Sequence, residues 1–528
     1  MSLHPQPSTT RLASRYPAGL LLGDVDLSNW QRRAESASHA PLFRYLVSRW
    51  QGLAARWTEQ NHPIDQGALA WHNVTPMVIE AALIHRITQR DDARQYVIQC
   101  IDHLLNLYAR LIPGQTLPAA TNLFNLPRSA GPGGHRSRPK VLSHGEVALA
   151  ADLLGDQLPQ DTLARVRQFM RVTCIDFHLF DRALTGSAAG GNVLLCQNIN
   201  AALCALTWGQ SCNHPHWGTI VDNTCDHIRR YLRHGCDEQG FPYEGAGYGL
   251  EVMAFIFLFC HLLRQARWHD DLLLTEPRLR CIPDVYCHLM LPDGRTATMN
   301  DSGCFHASPW WLPMLARLYN RPELLTHWQA TNRPDHPQAP FGDRWPYEAS
   351  LTGHDPRTIQ SLDKTLLMTF LTWDGSAASI PLDHVPTPTA CFASGTGTAV
   401  FRSGWGPRAV HASLLGAGRS RTCLGHAHAD AGHFSLTIDD QYLAIDTGRY
   451  NTNEDQHSVV LIDGRNRFPS AAPGKGMAWD QTSGQLRDFQ RHPLLDYCLA
   501  DARHMKQAIW ANRHFLFIRT SDHDAYIA

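Results

Sequence analysis

Two histidines and a carboxylate recur at alternate positions in Gly425-His426-Ala427-His428-Ala429-Asp430-Ala431-Gly432-His433. On an extended strand alternate side chains share a face, so His426, His428 and Asp430 would point the same way. Such a face can hold a metal or move a proton, and it is not a core pattern. His428 also belongs to a second set. With Asp446, in Leu443-Ala444-Ile445-Asp446-Thr447-Gly448, and His457 it supplies two nitrogens and an oxygen. That is a recognised zinc ligand set with an open or water-filled fourth position. Such a site would be assembled from three strands or their ends. In a chain with 30 histidines such a triple is not specific, and hydrogen-bonded strand-end histidines with a turn aspartate explain it as well. If a metal occupies His428, His426 is left to act as a base or charge neutraliser near neutral pH. The alternatives are a further ligand or an exposed strand histidine. Asp430 takes a supporting role, and His433 is read as packing or capping the next strand, outside the site.

The complementary chemistry lies far upstream. In Asp237-Glu238-Gln239-Gly240-Phe241-Pro242-Tyr243-Glu244-Gly245-Ala246-Gly247-Tyr248 the turn residues hold Tyr243, Glu244 and Tyr248 just before an apolar helix, where their polar ends can face a cleft. A tyrosine has a pKa of about 10, so proton transfer at neutral pH needs cations or hydrogen bonds beside it. Simple packing at a loop–helix junction is the competing explanation. Asn192, after Gly190-Gly191, opens another helix and suits a plain N-cap. Asn198 and Asn200 lie inside that helix, where asparagine is a poor helix former, so at least one should meet a partner.

Elements of two kinds must position these groups. Between residues 42 and 373 the apolar spacing is mostly helical. Residues 42–50 are amphipathic, 77–87 read as a more buried helix, and 96–111 run to a stop at Ile112-Pro113-Gly114. Residues 118–138, rich in Pro, Gly and Arg, read as a long loop whose Arg128, Arg136 and Arg138 could close over an anionic substrate. Helices resume at 145–154, 161–177, 192–208, 219–232 and 249–265. Helix pairs without strands imply an α-solenoid closed into a toroid, or an open array. After Pro386 the texture changes to short runs at 397–401, 409–415, 433–438, 442–446, 459–462 and 515–518, separated by turn residues. That is the signature of a β-sandwich. The expectation is a multidomain α + β chain, with a helical toroid over 1–385 and a short antiparallel sandwich over 386–528.

Composition sets limits. The 528 residues exceed one ordinary core, and 44% hydrophobic with 18% charged residues is a globular balance. A net charge of −1 gives no nucleic-acid footprint, so an anionic substrate would need local basic or hydrogen-bonding groups. The 15 tryptophans suit stacking on sugar rings. The 14 cysteines are scattered without a CxxC pair, which fits buried small hydrophobes in a reducing compartment better than a disulfide framework. Residues 1–7 have no basic-then-apolar leader, and the longest apolar run, 252–263, is interrupted by His261 and too short to span a bilayer. A cytoplasmic protein without membrane insertion is expected, or a periplasmic one if a leader precedes this sequence.

Taken together, these residues resemble the heparinase II/III-like superfamily of polysaccharide lyases. The likeness runs from about residue 161 to the C-terminus. It rests on the double-His motif, on Leu443-Ala444-Ile445-Asp446-Thr447-Gly448 and on Phe401-Arg402-Ser403-Gly404-Trp405. Tyr243-Glu244-Gly245-Ala246-Gly247-Tyr248 is similar to a Glu-Gly-Pro-Gly-Tyr segment of that family, and Pro292-Asp293-Gly294 with Asn300-Asp301-Ser302 is also similar. The resemblance implies an (α/α) toroid joined to an antiparallel β-sandwich, and β-elimination of a uronic-acid glycan, with alginate-type oligomers suiting a cytoplasmic enzyme. It makes Tyr248 the general acid and a candidate base, and His426 the base or its helper. His428, Asp446 and His457 become ligands of a structural zinc. Asn192 falls near the carboxylate-neutralising position, with Asn198 as its fallback. Glu244, Tyr243 and Tyr450 are then substrate-binding candidates. The chain departs from the family pattern at Ser458-Val459, where Asn-Thr usually follows the histidine. It departs again at Val193, where a His or Trp is common, and in offering only Tyr450 as a second cleft tyrosine.

Such an elimination needs these groups. The C5 proton of a uronate is barely acidic while the neighbouring carboxylate is charged, so hydrogen bonds must offset that charge and stabilise an enolate-like transition state. A base then takes the proton while an acid protonates the departing oxygen. Two rivals remain. A zinc-dependent hydrolase would use Asp430 or Glu244 beside a metal-bound water. A glycan-binding or assembly protein would keep the fold without turnover.

Overall fold

The computed structural model describes residues 19–59, 77–111, 144–171, 192–300, 302, 309–331, 365–417, 426, 428–439, 441–446, 448, 453–464 and 484–528. The 118–138 loop, Asp301 and Tyr450 lie outside these residues, and the side chain of Asn192 is not among those described.

The helical part begins with α1 (Leu27–Glu35), capped by Asp26, whose Oδ1 accepts from Ser28 N at 3.1 Å, and α2 (Ala40–Glu59). Then follow α3 (Val78–Thr88), α4 (Asp91–Leu111), α5 (His144–Leu154), α6 (Gln160–Phe169), α7 (Asn192–Trp208), α8 (Trp217–His234) and α9 (Gly245–Gln265). A helix that is apolar all round needs neighbours on every side. The odd-numbered members from α3 to α9 are of that kind, and they pack in series, α3 on α5, α5 on α7 and α7 on α9. The amphipathic α4, α6 and α8 cover the outside, α4 against α3 and α6, and α8 against α7. After α10 (Leu272–Thr275), α11 (Arg278–Leu289), α12 (Trp311–Leu318) and α13 (Pro322–Thr331), helix α14 (Thr365–Thr372) packs on α12 and back on α2. Phe370 of α14 meets Trp30, His39 and Phe43 there, closing the ring of helices into a toroid.

Helix α9 corrects two expectations. It starts four residues earlier than the apolar spacing implies, so Tyr248 sits in its first turn rather than in the preceding loop. At 21 residues it is also long and apolar enough to cross a bilayer, but 67% of its apolar 18-residue window is buried inside the protein. Its apolar character is that of a core helix.

Among the described residues nine strands follow, in two antiparallel meanders. The first sheet runs β1 (Ala390–Ala393), β2 (Thr398–Arg402), β3 (Val410–Leu415), β4 (Phe434–Ile438) and β5 (Gln441–Ala444), in that spatial order. The second runs β6 (Gln485–Arg491), β7 (Leu495–Asp501), β8 (Asn512–Ser521) and β9 (Asp524–Ile527), with the short helix α15 (Arg503–Lys506) between β7 and β8. Phe401 of β2 stacks on Phe515 and Phe517 of β8 between the sheets. Strands β2 and β3 are buried along their whole length. Their other face, with Val400 and Leu415, packs against Phe241, Ala246, Val285 and Leu289 of the helical part. The first sheet is therefore the middle of three layers.

The run 459–462 is not a strand; only Ile462 forms a bridge. Ser458 N and Val459 N are instead taken by His433 Nδ1 and His457 O, so this backbone has left the ladder. The chain end at 525–528, which reads as a strand, is one as β9, whereas β1, β6 and β7 lack a clean apolar alternation.

Candidate active site and metal centre

The double-His segment is not a strand, because His426 has φ +62° and Gly432 φ +86°, both left-handed. Histidine is among the non-glycine residues enriched in that region, and the turn breaks the alternation that would have put His426, His428 and Asp430 on one face. Instead His428 and Asp430 are buried, while the His426 side chain keeps 19% exposure at the surface of the cleft.

Helix α9 supplies the other wall. Its N-terminal turn is fixed by Gly245, whose φ of +85° and close approach to Met299 O, 2.8 Å from where a Cβ would lie, admit only glycine. Gly247 N donates to Ser302 Oγ at 2.6 Å, which ties the same turn to the segment after α11. Tyr248 then projects onto His426, the two rings stacked with centroids 3.6 Å apart and planes inclined by 18°. Glu244, buried, brings Oε1 to 3.9 Å from His426 Nε2. A stacked phenol–imidazole pair with a carboxylate behind it thus spans the junction between toroid and sandwich.

Tyr243 lies lower in that junction, its hydroxyl 2.9 Å from where a side chain on Gly395 would begin. Asp237 joins the same loops. Its Oδ1 accepts from Gln239 N and Phe241 N, and its Oδ2 accepts from Thr396 N and Oγ1. Burial nevertheless leaves this carboxyl above its usual range. Asn192 begins α7, one helix away from α9. Asn198 donates from Nδ2 to His227 Nδ1 at 2.6 Å, a bond between α7 and α8. Asn200 is wholly buried, accepting from Gly145 N and donating to Cys196 O, so both asparagines inside the helix have partners.

His428, Asp446 and His457 come together behind His426, all three buried, with one ligand atom from each within 4.8 Å of the others. Asp446 Oδ1 accepts from Gly448 N at 2.7 Å, which turns Oδ2 toward the histidines. Oδ2 is 3.4 Å from His457 Nδ1. A tetrahedral ion bonded at about 2.05 Å needs ligand atoms roughly 3.3 Å apart, so this pair has the right separation. Burial alone would raise the Asp446 carboxyl, but His457, His433 and His428 hold it below the usual range. The cluster is thus a negative oxygen among imidazoles, a donor set that fits a divalent transition metal.

His433, set aside in the sequence reading, is part of this centre. Its Nδ1 accepts from Ser458 N at 2.9 Å, so in the neutral ring Nε2 carries the proton. That Nε2 lies 3.7 Å from Asp446 Oδ2, outside hydrogen-bond distance but facing the same carboxylate oxygen as His457. The loop carrying His457 is braced from the second sheet. Lys506 Nζ pairs with Glu454 Oε1 at 3.1 Å, both buried, and Arg513 donates to the carbonyls of Gly432 and Ser458. The cue for His433 was its place in the same short segment as His426 and His428. No local pattern connects Lys506 with Glu454.

This architecture, a helical toroid whose cleft is completed by loops of an antiparallel sandwich, is the polysaccharide-lyase fold. A crystal structure of heparinase III matches it with a TM-score of 0.50 and 14% identity, over 83% of this chain and 59% of that one. A heparan sulfate lyase from Pedobacter heparinus matches at 14% identity and a TM-score of 0.45, over 84% and 59%. A chondroitin AC lyase variant from Streptomyces coelicolor matches at 12% and 0.39, over 94% and 69%. No family model and no curated protein matches the sequence. The chain therefore spans 59% of the length of heparinase III, and the likeness concerns the fold.

Proposed function

We propose that this protein is a lyase that cleaves a uronic-acid-containing poly- or oligosaccharide by β-elimination. The observation that carries the reading is the stacked Tyr248–His426 pair with Glu244 behind it, at the mouth of the toroid. Tyr248, on the first turn of α9, protonates the departing glycosidic oxygen. His426 takes the C5 proton or supports Tyr248 in doing so, and the Glu244 carboxylate lies 3.9 Å from its Nε2. Asn192, with Asn198 as the alternative, offsets the charge of the uronate carboxylate, and Tyr243 and Tyr450 contribute to holding the sugar. Imported alginate-type oligomers are the first substrates to test.

His428, Asp446 and His457 would hold a zinc ion, which when bound serves to fix the loop that presents His426. His433 faces the same oxygen of Asp446. The test is incubation of the purified protein with alginate, heparan, hyaluronan and glucuronan oligomers, followed by ultraviolet absorbance. A lyase leaves an unsaturated uronate that absorbs, whereas a hydrolase generates new reducing ends without absorbance. Binding with no turnover across the panel would replace this reading with that of a glycan-binding protein.

A further inference from the structure

The Phe401-Arg402-Ser403-Gly404-Trp405 segment has no part in the proposed chemistry, but it builds a second site. Phe401 points into the sandwich, so its neighbour Arg402 must point the other way, toward the helices. There Arg402 donates from Nη2 to Met290 O and lies 4.5 Å over the Trp405 ring. Its side chain is shut off from solvent at 2% exposure, and Nε has no hydrogen-bond partner. No carboxylate pairs with it among the described residues. The acidic groups on the helical side, Asp284 and Glu323, are both taken by Arg321, at 2.6 and 2.7 Å.

A buried guanidinium without a counter-charge is costly even after relaxation. Burial brings Arg402 down to about 10, so it remains charged at neutral pH. The surrounding histidines cannot offset it. Burial first and then Arg402 hold His327 and His411 near 3, and His288 is also pushed far down. His411 donates from Nε2 to His288 O, and His327 Nε2 is engaged with Thr387 Oγ1. The result is one positive charge among neutral rings. Beside it lies a pocket of about 20 Å³ lined by Arg402, Trp405, His327, Cys287, Leu291 and Pro292. That is room for one water-sized particle and not for a sugar ring.

We propose that this pocket, at the junction of toroid and sandwich, binds a single monatomic anion, chloride or another halide, against Arg402. The anion supplies the missing counter-charge and joins the two parts of the chain. It lies apart from the Tyr248 cleft, and the proposal does not depend on lyase activity.

Two measurements decide it. In crystals grown or soaked with bromide, anomalous diffraction should place a bromide in this pocket against the Arg402 guanidinium. Thermal midpoints in sodium chloride should exceed those in sodium gluconate at equal ionic strength by a few degrees, saturably, with the difference gone in Arg402→Gln. A pocket that refines as water with no anomalous signal overturns the proposal. So does a wild-type midpoint that is the same in both salts, or a chloride effect that persists in Arg402→Gln. The diffraction arm uses unaltered protein and stands even if the variant folds poorly.

Discussion

The imidazole of His426 lies flat on the phenol of Tyr248, centroids 3.6 Å apart, although 178 positions (426 − 248) separate them in sequence. One ring stands on the first turn of α9 and the other on a left-handed turn of the sandwich. In the proposed mechanism, proton transfer depends on both being held at once. Tyr248→Phe keeps the stack and removes the hydroxyl, so kcat should fall about 10²–10⁴-fold with binding little changed. His426→Ala should lower kcat to a similar degree. Turnover by Tyr248→Phe within tenfold of wild type would show that the tyrosine is not the acid.

Glu244 and His426 lead to a second kinetic expectation. The Glu244 carboxylate lies 3.9 Å from His426 Nε2, and Glu244→Gln, which keeps the shape and removes the charge, should lower kcat by about 10-fold or more with KM little changed. If only KM changes, Glu244 binds substrate and does not act on the His426 ring.

The buried His428, Asp446 and His457 cluster should carry one divalent ion per chain, measurable by elemental analysis of protein purified without chelators. His428→Ala and His457→Ala should lose it, and chelation of wild type should lower the thermal midpoint as well as activity. His433→Gln should weaken retention of the ion by about 10–100-fold rather than abolish it, because His433 acts through Asp446. Wild-type protein free of divalent metal would remove the assignment.

The Lys506–Glu454 pair is buried, so removing one partner leaves an uncompensated charge. Lys506→Met should cost about 3–5 kcal/mol in denaturant melts, while Lys506→Met combined with Glu454→Leu should recover much of that loss. Equal destabilisation by the single and double variants would argue that the charges are not coupled.

Stability should also fall with acid for a reason independent of the metal. His261, in α9, is held near 4, and His327 and His411 near 3, in each case chiefly by burial, against an ordinary 6.5. These rings are neutral when folded and take up protons on unfolding once the pH drops below about 6.5. Their contribution is complete above that pH and is lost progressively down to about pH 3–4. Thermal midpoints measured across this window should decline, less steeply in His261→Gln. Identical slopes for wild type and variant would contradict the assignment.

Much of the fold was legible because the inner helices carry apolar residues on all sides and the outer ones on one side, a difference visible in residues 77–87 against 217–234. The strands were less so. β6, Gln-Leu-Arg-Asp-Phe-Gln-Arg, packs through Leu486 and Phe489 with a register shift between them, so the alternation that marks a strand is interrupted. The pairing of Tyr248 with His426 could be inferred only through resemblance, since no local rule links a helix start to a distant turn. The shared face of His426 and His428 failed because a single left-handed residue overrides strand alternation, and histidine's enrichment in that region is too weak a signal to mark where it occurs.

Strands β2 and β3 belong to two interiors at once, one face packed on the second sheet and the other on the helices. The change of texture in the sequence after Pro386 is therefore not a seam along which the molecule can come apart. A protease that cuts near that position should release no independently folded half. Calorimetry should show toroid and sandwich melting in one transition, since whichever part unfolds first exposes an apolar face of the other.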